Sequence, residues 1–130
     1  MKRYDPLKAP DPAEWLSMDE QERISVAVDY HRRANIRTPN VQLHATVHAI
    51  VENQIALGDE VPVQRTVQRL MAEGLDRHDA IHAVGMILME FMYEAMSSAD
   101  TSRPVGGSHS NAPYYAALEK LTAQSWRRSG

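Results

Sequence analysis

"LHATVHAIVENQ", residues 43–54, sets two histidines four positions apart in a run with neither glycine nor proline. A helix turns about 100° per residue, so His44 and His48 stand one turn apart on one side of it. Leu43, Val47, Ile50, Val51, Gln54 and Ile55 recur at helical spacing as its buried stripe. His44 falls within that stripe, His48 at its edge, and Glu52 continues the line by one more turn. "DRHDAIHAV", residues 76–84, repeats the device. There His78 and His82 flank an apolar stripe of Ile81, Gly85, Leu88, Met92 and Met96.

Working outward, Asn40 is a fitting N-cap for the first of these helices, and Gly58 marks its end after Leu57. "GDEVP" is a turn. Val63 to Glu73 reads as a short helix with Val63, Val67, Leu70 and Met71 inward and Gly74 just past its end. Asp76 caps the second histidine helix, which should reach about Ser98. Upstream, Ser17-Met18-Asp19-Glu20 has the form of a capping box, and a helix from about Asp19 to Ala34 puts Ile24, Ala27, Val28 and His31 on one face. Pro39 stops any continuation. Residues 1–16, with Pro6, Pro10 and Pro12, should form an extended arm anchored by Trp15 and Leu16. Residues 99–113, including "RPVGGSHSNAP", read as a Gly/Ser/Pro loop, and residues 114–128 as a C-terminal helix with Tyr115, Leu118, Leu121 and Ser125 at helical spacing.

The expected fold is therefore all-α: residues 1–130 as one domain, a bundle of four to five helices, the two histidine helices adjacent and antiparallel with a short crossover helix between them. At 130 residues the chain buries roughly two-thirds of its unfolded surface without staples. A 43% hydrophobic content with seven Met and only one Phe suits close-packed helices. The absence of cysteine excludes disulfides, iron–sulfur clusters, thiolate zinc sites and cysteine nucleophiles. No secretory h-region and no long apolar run is present, so no membrane association and a cytoplasmic location are expected. A net charge of −3 gives no general attraction for nucleic acid.

The histidines carry the functional question. A ring nitrogen left unpaired in an interior costs roughly 1–3 kcal/mol, and four histidines on apolar faces multiply the problem. A transition metal solves it, because neutral imidazoles bind at about 2.0–2.1 Å and two i, i+4 pairs supply up to four ligands. His44, His48, His78 and His82, with Glu52 as an alternate ligand or water-activating base, are the candidate set, and no catalytic residue is singled out. Nitrogen-rich, carboxylate-poor, sulfur-free coordination suits zinc, iron, nickel or copper, with zinc or iron preferred, and argues against magnesium and calcium. An open coordination position would permit metal-dependent hydrolysis or oxidoreductase chemistry. The rival reading is a non-enzymatic helical interaction module, a homodimer or other homo-oligomer being one form of it, whose histidines form a buried hydrogen-bonded or pH-responsive cluster.

Other signals carry less. His31 can serve as a fifth nitrogen, as a donor behind the ligands or, the preferred reading, as a surface or core residue, and His109 can swing over a site but reads first as a solvated loop residue. No Glu-x-x-His occurs for a di-iron carboxylate bundle, although Glu52 and Glu90 leave an irregular dinuclear site open. The Met stripe is core filler before it is a haem ligand. "HDAIH" carries Asp79 where the zinc-protease motif has Glu, one methylene too short for the same general base. Neither a phosphate-binding glycine fingerprint nor a serine nucleophile elbow is present.

The block from Leu43 to Tyr93, about two-fifths of the chain, resembles a bacterial family of small histidine-rich proteins known as domain of unknown function 1841. "LHATVHAIVENQ", "GDEVP", "GLDRHDAIHAV" and "MILMEFMY" carry the likeness; "DEQERISVAVDYHRR" and "YYAALEKLTAQSW" extend it. The resemblance implies a compact helical fold in which His44, His48, His78 and His82 correspond to the family's histidines. It implies no activity. Where the family commonly has Glu after the third histidine, this chain has Asp79.

Overall fold

Local chemistry sets most helix ends. The computed structural model describes residues 4–34, 40–97 and 112–129. Among them are seven α-helices: α1 Pro12–Ser17, α2 Glu20–Arg33, α3 Val41–Ala56, α4 Val63–Ala72, α5 Arg77–Ser97, α6 Ala112–Lys120 and α7 Ala123–Ser129, with a single 3-10 turn at Gly58–Glu60. The Asn40 carboxamide accepts from the Leu43 N–H at 3.0 Å, and the Asp76 carboxylate from the Asp79 N–H at 2.7 Å. Gly58 and Gly74 take positive φ of 63° and 110° where α3 and α4 end. At Gly74 the Leu75 N–H reaches the Leu70 carbonyl and the Gly74 N–H that of Met71, a Schellman closure.

The count exceeds the expected four to five for two local reasons. The arm is not extended throughout residues 1–16: Asp11 accepts from the Glu14 N–H at 3.0 Å, and Pro12 sits in the first helical turn, where its missing N–H costs nothing. The C-terminal stretch 114–128 is two helices, because Thr122 and Ser125 bond each other reciprocally, N–H to hydroxyl at 2.9 and 3.0 Å, and start a new one. The capping box at Ser17 does not form. Asp19 caps α2 through the Glu22 N–H at 2.8 Å, and the Ser17 hydroxyl donates to the Glu14 carbonyl. Pro39 and residues 99–111 of the stretch expected as a loop, His109 included, lie outside the described residues, and Ala112 and Pro113, expected in that loop, open α6.

Helix α3 is the hub, packing against α1, α2, α4 and α5. Its two apolar faces belong to different clusters. Val47 and Val51 join Val67, Leu70, Ile81, Val84 and Leu118, whereas Ala45 and Ala49 join Tyr4, Trp15, Ile24, Ala27 and Val28. On the helical wheel His44, His48 and Glu52 fall between those faces. Leu43, Met71 and Leu16, expected inward, are instead 42%, 41% and 41% exposed. Helices α3 and α5 meet closely at Gly85: a Cβ there would stand 2.8 Å from Val47 Cγ1. Val47 lies between the two histidines of α3, and Gly85 follows His82 by three positions, so this contact brings the histidine-bearing segments together.

Candidate metal centre

Three helices place five imidazoles side by side: His31 from α2, His44 and His48 from α3, His78 and His82 from α5. Ring centroids of neighbours are 4.3 Å apart for His78 and His82, 4.6 Å for His31 and His44, and 5.0 Å for His48 and His82. One ring nitrogen from each of His31, His48, His78 and His82 lies within 4.8 Å of the other three, a group that could hold a metal ion. Tetrahedral bonds of about 2.0–2.1 Å would put such nitrogens roughly 3.4 Å apart, so the widest separation has to close through side-chain rotation. His44 stands outside that group of four but presses on it, its Nε2 being 3.0 Å from His82 Nε2.

The protons on two of these rings, His31 and His48, are set from outside the cluster. His31 Nδ1 is 2.6 Å from the Ala27 carbonyl, which can only accept, so the proton is on Nδ1 and Nε2 presents a lone pair. That Nε2 is buried without a partner, and so is His78 Nε2. Tyr4 donates to Glu52 Oε2 at 2.6 Å, and its oxygen lies 3.1 Å from His48 Nδ1. With its only proton given to Glu52, the phenol accepts from His48 Nδ1–H, which leaves the His48 Nε2 lone pair facing His82 Nε2 at 3.1 Å. A neutral His82 has one proton to offer, and two imidazoles at its Nε2 compete for it.

Burial disfavours protonation of four of these rings, His44, His48, His78 and His82. Burial, reinforced by neighbouring histidines, lowers His48 to about 2 and both His44 and His82 to about 4. His78 is lowered too, chiefly by burial. Neutral imidazole is the metal-binding form. Tyr4 is raised well above its ordinary value by burial and by the Glu52 carboxylate, so it remains a phenol.

Glu52 is 2% exposed and not among the converging donors. Arg77 grips both its oxygens at 2.7 and 2.8 Å, and Tyr4 takes a further bond. Arg77 also donates to the Pro6 carbonyl at 2.8 Å, and Arg33 to the Tyr4 carbonyl at 3.1 Å, which ties the arm down. Glu52 thus orients His48 through Tyr4. Glu90 is exposed. His31 was readable as a member of the Ile24, Ala27, Val28 face and as a candidate fifth nitrogen, not as one of the converging four; Tyr4 and Arg77 gave no sequence signal, since neither stands at metal-ligand spacing. No family model, no curated protein and no solved structure matches this chain, so the chemistry of the centre is read from its own residues.

Proposed function

We propose that this protein binds one transition-metal ion of the kind that imidazole donors suit, zinc or iron first, through His31, His48, His78 and His82, with His44 alongside. The observation that carries this reading is the direction of the lone pairs. The Ala27 carbonyl and the Tyr4 phenol hold the Nδ1 protons of His31 and His48 on the outside, so the Nε2 lone pairs of both point away from those partners, and the buried Nε2 atoms of His31 and His78 have no protein partner. In a metal-free interior such atoms cost roughly 1–3 kcal/mol each, and a cation repays that cost. The carboxylate, phenol and imidazole chain behind His48 is the kind of support that metal-binding histidines use to fix their tautomer. Kinship with the domain of unknown function 1841 belongs to the same proposal and supplies no activity.

Hydrolytic or redox chemistry at the ion is the extension of this reading, and it is confined to the side where His44 and His82 meet solvent. Glu52 is engaged by Arg77 and Tyr4 and is not disposed to activate water. The second reading, a polar histidine core without metal, has the contacts of His82 with His44 and His48 in its favour. Metal analysis of tag-free protein separates the two. Stoichiometric metal in the wild type, lost in His48→Ala and His31→Ala and retained in Glu90→Gln, supports the ion; metal-free protein whose folding ignores EDTA overturns it.

A further inference from the structure

A cleft of about 200 Å3 opens beside the histidines. His44, His48 and His82 form its polar part, and Val47, Met86, Met89 and Trp126 its apolar walls. None of the residues lining it carries a carboxylate, ammonium or guanidinium group. Met86 and Met89, 45% and 40% exposed, stand at solvent, whereas His31 and His48 are 1% exposed, so access to the cluster runs along His44 and His82. A dry apolar cavity of about 150 Å3 is enough to take up benzene in another protein. The space here is therefore large enough for an aromatic ring or a short aliphatic body.

We propose that this cleft is a binding site for a small, uncharged, largely apolar molecule that presents one nitrogen, oxygen or sulfur donor to the ion. The proposal rests on the metal reading above. Away from the donor atom the guest meets no counter-ion: the lining offers neither ammonium nor guanidinium to an anionic body and no carboxylate to a cationic one, so the walls select against a charge there by leaving it desolvated and unpaired. The methionine side chains, long and unbranched, can adjust to the outline of the guest. His44, which is not among the four converging nitrogens, marks the side on which a further donor approaches.

The test uses the full chain loaded with cobalt(II), whose visible bands report both the ion and any added ligand. Imidazole and phenylimidazole offer the same donor and differ only in the apolar ring. Phenylimidazole is expected to bind about tenfold more tightly, the gain from partly burying that ring. The variant Met86→Glu/Met89→Glu, altered only at exposed positions, should keep the cobalt spectrum and lose the preference. Equal affinity for the two azoles, or a preference that survives in the variant, overturns the cleft while leaving the metal centre standing. A wild-type chain that takes up no cobalt overturns the metal reading and the cleft with it.

Discussion

At the scale of single residues, Tyr4 connects the arm to the centre by one hydroxyl that accepts from His48 and donates to Glu52. Tyr4→Phe keeps the ring in its packing against Trp15 and Tyr30 and removes only those two bonds. Metal affinity should fall about 10- to 100-fold, as it does when an outer partner of a ligating histidine is lost. The apo protein should also lose about 1–3 kcal/mol, because the His48 Nδ1–H is left without its acceptor in a buried place. Competition titration with a chromophoric chelator and urea unfolding read the two effects; unchanged affinity would remove Tyr4 from the support of the centre. None of this was legible in the sequence, where Tyr4 is one residue of a proline-rich arm. His31 was half legible: its helical face was readable, but the neighbours of that face were not.

At the scale of elements, the close approach of α3 and α5 depends on the missing side chain of Gly85. In Gly85→Ala the new methyl meets Val47 Cγ1, on a short branched side chain with little room to yield. The helices must part, with an expected loss of about 1–3 kcal/mol from overpacking. Because His82 is one turn away on α5 and His44 and His48 flank Val47, metal affinity should fall in step. Adding Val47→Ala removes the obstructing methyl groups, so the double variant should recover metal binding beyond the sum of the single effects. Additive losses would show that Gly85 acts elsewhere. The element ends were largely readable, since Asn40, Asp76, Gly58 and Gly74 act within a few residues of themselves. The break at Thr122 was not read, because its hydroxyl competes for the Ser125 N–H inside a continuous helical pattern.

At the scale of the whole molecule, the buried cluster makes stability depend on pH. His44, His48, His78 and His82 have pKa values below the ordinary histidine value, while in the unfolded chain they titrate near about 6.5. As pH falls through that range the unfolded chain takes up protons that the folded one refuses, so folding free energy is lost on acidification. Asp76 favours protonated His78 and His82 and Asp5 favours protonated His78, but these carboxylates and the facing His31, Tyr4 and Tyr30 leave that sign unchanged. The metal-free chain should keep its full stability above about pH 7 and unfold progressively more easily between about pH 6.5 and 4. Urea midpoints measured across that interval check this, and a midpoint that stays flat or rises would contradict it. By itself the sequence determined an all-helical chain, most of its helix ends, and which histidines lie one turn apart on shared faces, because periodicity and caps are local. Only the tertiary structure decided that α2 contributes His31, that Arg77 and Tyr4 draw Glu52 behind the centre, and that His44 stands at the cleft. Those placements come from burial and charge pairing between distant segments, the partners of Glu52 standing 25 and 48 residues from it in the chain, and no local pattern encodes them.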